Sequence, residues 1–367
     1  MKVLFDHQCF TNQEYGGISR YFVSLMNEFD KMNDVSYSLA LKYSNNFYIH
    51  QNNRFKVKRF LPNLNFRGKK FSSHLLNLPN SKTQLKKGNF DIFHPTYYNP
   101  YFVKTLDKKP FVLTVHDMTH ELFPHIVHKF DKTTIQKKYL VSKAKKIHAI
   151  SQNTKKDLIE KLKVPEEKIE VIYHGSSISK IDALNYDNLI IPERYILYVG
   201  SRNYYKNFNY TIAAFNELVK NDDMLFLVCA GGGKFIDREI QLFNELKLSD
   251  KIIHKPADDN SLAALYSNAI LFIFPSLYEG FGIPALEAMN CDCPLALSHV
   301  SSLPEVGGDA ALYFDPNDPK DICNQLTKII YNEKFRNQLI EKGKVRRKEF
   351  SWQKTASETK KLYEQCL

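Results

Sequence analysis

Short apolar runs recur along the whole chain, and segments with helical spacing of apolar residues separate them. The runs are rich in β-branched and aromatic residues and are continuously apolar, which is typical of strands buried on both faces of a parallel sheet. In the first half they predict strands at Lys2–Asp6, Val35–Leu41, Asp91–His94, Phe111–Val115, Lys146–Ile150 and Glu170–Tyr173. In the second half they predict strands at Tyr195–Val199, Leu225–Cys229, Lys251–His254, Ile270–Phe274, Pro294–Leu297 and Ala311–Phe314. Strands that alternate with helices form βαβ units, so the pattern predicts an α/β protein with two doubly wound, parallel-sheet domains.

The two series of strands are separated by a stretch with little pattern, which Gly175 and Pro192 flank. We therefore predict a first domain over residues 1–180, a second over 190–350, and a C-terminal helix over 351–367 that crosses back to the first domain. Trp352, the only tryptophan, is expected to dock that helix by packing. Open parallel sheets bind ligands at the carboxyl ends of their strands, so two facing domains predict a cleft lined by those loops.

The composition excludes several classes of protein. Hydrophobic residues make up 43% of the 367 positions, which is too many for a disordered chain. The longest charge-free apolar run, Ala269–Tyr278, is about half of the ~20 residues that a membrane-spanning helix needs. Only three apolar residues separate Lys2 from Asp6, too few for a secretion signal, and the six cysteines are scattered. These features predict a soluble cytoplasmic protein with reduced cysteines.

The net charge of +11 is concentrated in two stretches. Ten Lys or Arg and no Asp or Glu lie between Gln51 and Phe90, and seven lysines opposed only by Asp131 lie between Lys129 and Lys146. Such stretches favour anionic partners: phospholipid headgroups, phosphorylated acceptors or nucleic acid. The alternative is an ordinary solvated face.

The segment with the most chemical information is E-G-F-G-I-P-A-L-E, from Glu279 to Glu287. Pro284 is expected to be the first residue of a helix, which would place Glu279 in the preceding loop and Glu287 in the first helical turn. Amides of the loop and of the helix N-terminus suit an anion, whereas the two carboxylates suit the hydroxyls of a sugar and a ribose. An acidic residue favoured by the helix dipole would explain Glu287 but not Glu279 with its two neighbouring glycines.

This segment, with two glutamates separated by seven residues, resembles the signature of glycosyltransferase family 4. Other segments are similar to that family in the same order: the glycine loop Tyr15–Arg20, the histidine segment Val115–Asp117, the diphosphate loop Tyr198–Asn207 and the segment Leu303–Leu312. The resemblance runs from the first strand to the last helix. It implies the GT-B fold, with two Rossmann-like domains facing across a cleft, a nucleotide-sugar donor and retention of the anomeric configuration.

The resemblance also implies which residues form the site. The catalytic residues would be His116, Arg202, Lys206 and Glu279, and the donor-binding residues Gly16, Gly17, Gly280, Phe281, Gly282, Ile283 and Glu287. Asp117, His174 and Glu305 are further candidates. In the mechanism that it implies, Glu287 binds the ribose, Glu279 positions sugar hydroxyls rather than acting as a nucleophile, and the leaving phosphate is the base.

Elementary chemistry supports a role for the two cations after the Gly200 turn. A guanidinium at Arg202 can grip a phosphate with two bonds while the ammonium of Lys206 adds a point charge, and together they would neutralise the leaving diphosphate. Because Arg202 departs from the spacing common in the family, it is less secure than Lys206. Structural alternatives remain: surface cations for this pair, an ordinary turn for Gly16 and Gly17, and a satisfied core histidine for His116.

No Asp-x-Asp occurs in the chain, although transferases that hold the diphosphate through a divalent metal usually have one. We therefore expect catalysis without a metal or other cofactor.

The expected partners are a nucleotide-sugar donor and a glycan or lipid-linked glycan acceptor of bacterial-type surface polysaccharide or lipopolysaccharide. An anionic membrane surface is an expected further partner, through the basic stretch 51–90. The segment Val115–Pro124 resembles relatives that transfer mannose, which makes GDP-mannose the first expectation for the donor and a UDP-hexose the second. Other interpretations are a nucleotide-sugar epimerase or phosphorylase of the same fold, or a nucleic-acid-binding protein, although no recognised nucleic-acid motif accompanies the lysines.

Overall fold

The computed structural model describes residues 1–51, 54–126, 128–180, 190–256 and 258–367, and these form two compact units. Unit 1 comprises Met1–His174 and Trp352–Leu367, and unit 2 comprises Gly175–Ser351. Residues 181–189, within the predicted domain junction, lie outside the described residues. The units are described separately below.

Unit 1 is built on parallel strands in the order β2-β1-β3 and β4-β5-β6. An isolated parallel bridge between Phe93 and Phe111 joins the two sheets. The strands are β1 (Lys2–Phe5), β2 (Ser36–Leu39), β3 (Ile92–His94), β4 (Val112–Val115), β5 (Lys146–Ala149) and β6 (Ile169–Val171). Each lies within two residues of its prediction.

Unit 2 contains one six-stranded parallel sheet in the order β12-β11-β10-β7-β8-β9. Its strands are β7 (Tyr195–Val199), β8 (Phe226–Ala230), β9 (Ile252–Lys255), β10 (Leu271–Phe274), β11 (Leu295–Ser298) and β12 (Ala311–Phe314). This is the strand order of a doubly wound dinucleotide-binding sheet, in which the direction of winding reverses between the first and fourth strands, here β7 and β10. The α/β class and the Rossmann-like architecture of the units are as predicted.

Helices connect the strands in both units. In unit 1 they are α1 (Gln8–Asn12), α2 (Gly17–Phe29), α3 (Phe47–Gln51), α4 (Lys69–Lys87), α5 (Thr119–Leu122), α6 (Thr133–Lys143), α7 (Gln152–Leu162) and, after unit 2, α15 (Trp352–Glu364). In unit 2 they are α8 (Phe208–Val219), α9 (Asp237–Glu245), α10 (Asp259–Asn268), α11 (Ile283–Asn290), α12 (Leu303–Gly307), α13 (Pro319–Ile330) and α14 (Glu333–Arg346). None of the helices in the described part of the chain is both long and apolar enough to cross a membrane.

The C-terminal helix α15 packs within unit 1. Trp352 lies edge-on to His174, with ring centroids 5.7 Å apart, and Thr355 Oγ1 donates a hydrogen bond to the carbonyl oxygen of Tyr173 (2.6 Å). Tyr363 of the same helix is fully buried beside α2. Trp352 thus docks the helix, as its isolated position in the sequence predicts.

The division between the units falls before residue 175, whereas the sequence pattern placed the end of the first domain at 180. The difference arises from contacts of residues 175–180 with α11 and the turn after it. Asn290 Nδ2 donates to the carbonyl oxygen of Ile178 (3.1 Å), and Lys180 forms an ion pair with Asp292 (3.1 Å). This segment therefore packs on unit 2.

Candidate active site

The loops that follow β7 and β10 carry the predicted catalytic cluster of unit 2. The two strands are hydrogen-bonded neighbours, and the connections from them run to opposite sides of the sheet. In doubly wound sheets the loops after two such strands diverge at the carboxyl edge, and the crevice between them is where ligands bind.

Lys206 and Glu279 form an ion pair in this crevice, with Lys206 Nζ 2.5 Å from Glu279 Oε1. Their side chains are 17% and 13% exposed, so both are held firmly yet reach solvent. Lys206 ends a short 3₁₀ turn, and its ammonium lies over the ring of Phe274 at the end of β10 (5.4 Å to the centroid). The structure therefore brings together two residues that are 73 positions apart and that the sequence predicts to share a site.

Two serines after β11 hold the backbone of the Glu279 loop. The N–H of Glu279 donates to Ser301 Oγ (2.9 Å), and Ser302 Oγ lies 2.9 Å and 2.8 Å from the carbonyl oxygens of Glu279 and Phe281. Gly280 and Phe281 are buried, and Gly282 caps α11 with φ +114°, a conformation that favours glycine. The loop is thus fixed before any ligand binds.

Glu287 lies in the second turn of α11, which corrects the prediction of a first-turn position. The helix begins at Ile283, one residue before Pro284, because Gly282 serves as its cap. Glu287 is buried, and the hydroxyl of Tyr266 on α10 donates to its Oε2 (3.3 Å). Since dipole stabilisation decays within the first turn, the buried carboxylate is held by Tyr266 and packing rather than by the helix N-terminus.

The guanidinium of Arg202 is largely enclosed by neighbouring groups. Its side chain is 4% exposed and pairs through Nε with Glu239 Oε1 (2.7 Å). Its Nη2 donates to the carbonyl oxygens of Gly233 (3.0 Å) and Lys234 (2.9 Å), and the guanidinium lies 4.9 Å from the ring centroid of Phe235. Through these contacts Arg202 positions the loop after β8, and Lys206 is the cation beside Glu279. The contact of Arg202 with a diphosphate stays a prediction.

The loop that Arg202 holds is a run of three glycines, Gly231–Gly233, each with positive φ. A Cβ atom at Gly232 would lie 2.3 Å from the carbonyl oxygen of Gly200, so only glycine allows the loops after β7 and β8 to pack backbone to backbone. Glu239 also accepts from the N–H of Ile236 (2.9 Å) and so connects Arg202 to the start of α9. Neither this glycine run nor Glu239 was predicted as part of the site, although three consecutive glycines after a strand were a visible signal.

This arrangement predicts that Arg202 stabilises unit 2. We expect Arg202→Met to destabilise unit 2 by roughly 3–5 kcal/mol, because it leaves the Glu239 carboxylate buried without its cation. The double change Arg202→Met/Glu239→Leu should cost less than Arg202→Met alone, since it removes both charges. Urea unfolding measures both, and Arg238→Met, at an exposed position of α9, is the control. Unchanged stability of Arg202→Met would contradict this role.

In unit 1, Gly16 and Gly17 lie at the start of α2. Gly17 is its first residue. A Cβ atom at Gly16 would overlap the side chain of Gln13, which accepts the N–H of Ser19 through Oε1 (3.1 Å). A side chain at position 16 would therefore displace the amide of Gln13, and the exposed Gly17 presents helix-terminal backbone to solvent.

His116 directly follows β4 and belongs to a cluster of four buried histidines, with His94, His148 and His174. Burial first, and then neighbouring positive charge, holds the pKa of His116 well below its usual value. Its ring lies edge-on to Tyr21 (5.4 Å between centroids). His116 is therefore a neutral imidazole at pH 7, able to form hydrogen bonds but not to supply positive charge.

His174 is a packing residue of unit 1 rather than an exposed candidate ligand. Its ring lies edge-on to Tyr21, with centroids 4.7 Å apart, and burial likewise lowers its pKa well below the usual value. His174 is 2% exposed, and a position facing a ligand stays a prediction.

The other two candidates have evident structural contacts. Asp117 Oδ1 accepts the N–H of Thr119 (2.9 Å) at the start of α5, and its carbonyl oxygen accepts from the buried Lys137 (2.9 Å). The carbonyl oxygen of Glu305, in α12, accepts from Arg346. Among the residues that the structure describes, no group of three or more His, Cys, Asp or Glu is placed to hold a metal ion.

Two family models match the chain. The model described as "Glycosyltransferase Family 4" matches residues 15–180, and "Glycosyl transferases group 1" matches residues 187–346.

Curated relatives share about 30% identity with the chain. O-antigen chain mannosyltransferase B of Escherichia coli is 29% identical over 286 residues, 74% of each chain. A serotype-specific mannosyltransferase of E. coli is 31% identical over 228 residues, and the match covers 58% of this chain but 28% of that longer protein.

Solved structures match over almost the whole chain. Sucrose-phosphate synthase of Thermosynechococcus elongatus has a TM-score of 0.81 at 21% identity, covering 100% of this chain and 98% of that one. Anabaena HepE in complex with UDP and glucose has a TM-score of 0.77 at 15% identity, covering 99% of each. At such identities the likeness is one of fold.

Proposed function

The chain belongs to glycosyltransferase family 4 and has the GT-B fold, and on that basis we propose that it transfers mannose from GDP-mannose to a glycan acceptor with retention of configuration. The observation that carries the proposal is the Lys206–Glu279 ion pair at the crevice of unit 2. Mannose is favoured because two E. coli proteins similar to this chain are an O-antigen chain mannosyltransferase and a serotype-specific mannosyltransferase. The acceptor would be a growing surface polysaccharide or a lipid-linked precursor of one.

Lys206 is proposed to neutralise the diphosphate as it leaves. An ammonium has three donors, so Lys206 can remain bonded to Glu279 while it donates to a phosphate oxygen. Negative charge on that oxygen grows as the bond to the sugar breaks, and a prepositioned cation stabilises this state most.

Glu279 is proposed to accept hydrogen bonds from hydroxyls of the transferred sugar, and Glu287 from those of the ribose. A carboxylate paired with Lys206 at 2.5 Å is a weak nucleophile, because the cation stabilises its charge. This argues for a positioning role of Glu279 and for a phosphate oxygen as the base that activates the acceptor. His116, neutral because its pKa is lowered, can donate or accept one hydrogen bond with the sugar.

We propose that turnover needs no metal or other cofactor. Lys206 and backbone amides of the Glu279 loop supply the positive charge that a divalent ion would otherwise bring. Transfer should therefore proceed unchanged in EDTA. Loss of turnover in EDTA that Mg²⁺ or Mn²⁺ restores would overturn metal independence.

A UDP-hexose is the second candidate donor, because Anabaena HepE, of the same fold, is complexed with UDP and glucose. Ligand-induced stabilisation distinguishes the candidates. A ligand at a hundred times its Kd stabilises a protein by ~2.7 kcal/mol, which raises Tm by several degrees. We expect GDP-mannose, but not UDP- or ADP-sugars, to do so in EDTA.

The same experiment tests the site. Lys206→Ala and Glu287→Ala should abolish the stabilisation by the donor. Lys220→Ala should retain it, because it breaks the exposed Lys220–Glu217 pair (2.7 Å) on α8. Stabilisation by UDP-sugars alone would establish the second donor, and stabilisation that survives both site changes would overturn the assignment of this crevice.

We place the reaction on the cytoplasmic side of a membrane. All six cysteines are free thiols and five of them are buried, an arrangement expected in a reducing compartment. A lipid-linked acceptor would bring the enzyme to the membrane surface.

A further inference from the structure

Three of the four residues that helix α4 buries are polar. Its inward-facing positions include the polar residues Ser73, Asn77 and Ser81, whereas Phe71, Leu75 and Leu76 point outward and are 65%, 48% and 49% exposed. Surface helices normally bury the apolar stripe and expose the polar one. The outward apolar face therefore calls for a partner.

Hydrogen bonds fix this orientation. Asn77 Nδ2 donates to the carbonyl oxygen of Tyr43 (2.8 Å), and its Oδ1 accepts the N–H of Lys42 (2.8 Å). Ser81 Oγ donates to the carbonyl oxygen of Ala40 (3.0 Å) and lies 2.6 Å from His7 Nδ1. Rotating α4 to bury its leucines would break these buried bonds, at the cost of leaving several polar groups unsatisfied.

The apolar surface continues into the segment before the helix. Leu61, Leu64 and Phe66 are 43%, 58% and 42% exposed. Together with Phe71, Leu75 and Leu76 they form what we call the α4 surface. Exposed clusters of large apolar residues on one segment mark sites of interaction with proteins or membranes.

The charged residues of the segment that contains the α4 surface are all basic. Between Gln51 and Phe90 there are ten Lys or Arg and no Asp or Glu. Lys82, Lys86 and Lys87 occupy exposed positions of the C-terminal half of α4, at helical spacing from Phe71 and Leu75. Apolar side chains beside lysines form the pattern of a helix that lies in the surface of an anionic bilayer, with its apolar residues among the acyl chains and its lysines among the headgroups.

We propose that the α4 surface docks unit 1 on an anionic phospholipid bilayer. Four exposed leucines favour acyl chains over nucleic acid, because leucine cannot stack on bases, whereas hydrocarbon accepts it readily. The absence of acidic residues from 51–90 removes the repulsion that anionic lipid would otherwise meet. The proposal extends the proposed function, since a membrane-bound enzyme meets a lipid-linked acceptor, but vesicle binding itself requires neither donor nor acceptor.

The test is co-sedimentation of the full chain with vesicles of phosphatidylcholine alone or mixed with phosphatidylglycerol. We expect binding to the mixed vesicles only, stronger at low salt than at about 0.15 M, where the Debye length falls to ~8 Å. Phe71→Ser/Leu75→Ser/Leu76→Ser should weaken it at least tenfold. Lys82→Gln/Lys86→Gln should weaken it about fivefold for each lysine removed. Donor-induced stabilisation should be retained in both variants, which shows that they are folded.

A matched control lies elsewhere in unit 1. Phe130 and Ile135, 74% and 73% exposed, also stand among lysines, so Phe130→Ser/Ile135→Ser removes equally exposed apolar groups from a different basic segment. This variant should bind mixed vesicles like the unchanged protein. No binding by the unchanged protein, equal binding by the triple variant, or loss only in the control would overturn the proposal. Binding of single-stranded oligonucleotide without vesicle binding would replace it with a nucleic-acid surface.

Discussion

Replacing Lys206 by alanine should lower kcat about 10²–10³-fold, the usual effect of removing one prepositioned group from a developing anion. The effect should exceed any change in KM for the donor, because the charge that Lys206 neutralises is larger in the transition state than in the bound diphosphate. Lys206→Arg should recover only part of the rate, since a planar guanidinium does not reproduce the position of an ammonium 2.5 Å from Glu279.

Glu279→Gln tests the other half of the pair. The amide keeps the size of the side chain but removes the charge, and we expect a further large loss of kcat with the enzyme still folded. Because Lys206 and Glu279 are in contact, their effects on kcat should not be independent. The double variant Lys206→Ala/Glu279→Gln should lose less of kcat than the product of the two single losses. Steady-state transfer kinetics measure all four enzymes, with Lys220→Ala as the control for breaking an ion pair in unit 2. A fully active Lys206→Ala, or a sugar bound covalently to Glu279, would contradict the proposed roles.

The family, the GT-B fold and the enzyme class could be predicted from the sequence and are confirmed. The strands were accessible because doubly wound sheets bury both faces, so each strand is a short continuous apolar run that ends near a glycine, proline or polar residue. The Glu279–Glu287 segment could be located for a related reason: the loop after a parallel strand leads directly to the ligand edge of the sheet.

What the sequence did not predict are contacts between residues far apart in the chain. The guanidinium of Arg202 is enclosed by Glu239, 37 positions away, and by the ring of Phe235. A local pattern shows that an arginine follows a strand; it does not show which carboxylate that arginine meets. The first-turn position expected for Glu287 was wrong because a glycine cap at Gly282 let the helix begin one residue earlier.

Helix α4 shows that hydrophobic periodicity alone does not identify which face of a helix is buried. Its sequence contains apolar residues at helical spacing, and the ordinary expectation would bury Phe71, Leu75 and Leu76. The structure buries Ser73, Asn77 and Ser81 instead, because their hydrogen bonds to Tyr43 and Ala40 are made with backbone that no local pattern identifies. Which stripe of an amphipathic helix faces inward depends on the partner, and here the partner is polar.

Acidification should unfold unit 1 before unit 2. The pKa of His148 is lowered to about 4 by burial, from 6.5, and burial lowers those of His94, His116 and His174 well below the usual value. In the folded state these rings are neutral, with His148 Nε2 donating to the carbonyl oxygen of Ile172 (2.8 Å). In the unfolded chain they take up protons near pH 6.5.

The direction of the pH effect follows from the difference in proton binding between the folded and unfolded states. A histidine whose folded pKa is depressed stabilises the fold fully above its unfolded pKa, and this stability is lost as the pH falls from 6.5 towards the folded pKa. His148 alone should therefore lower the free energy of unfolding by about 2 kcal/mol between pH 6.5 and pH 5. The other three histidines of the cluster act in the same direction.

The two units offer an internal comparison. The histidines of unit 2, His254 and His299, are not buried, so its stability should depend much less on protonation of histidine. Unfolding at pH 5 should then separate into two transitions, and hydrogen exchange should show loss of protection in β4, β5 and α15 while β7 and β10 remain protected.

Substitution assigns the effect to the cluster. His148→Gln should reduce the dependence of unfolding free energy on pH between 6.5 and 5 by about 1.4 kcal/mol per pH unit, whatever its effect on stability at pH 7.5. His128→Gln, at an exposed position, should leave the slope unchanged. If His148→Gln does not fold, the exchange comparison on the unchanged protein still decides the matter. Simultaneous loss of protection in both units at pH 5 would show that the buried histidines do not set the acid stability of unit 1. Loss of protection in unit 1 alone is the expected result.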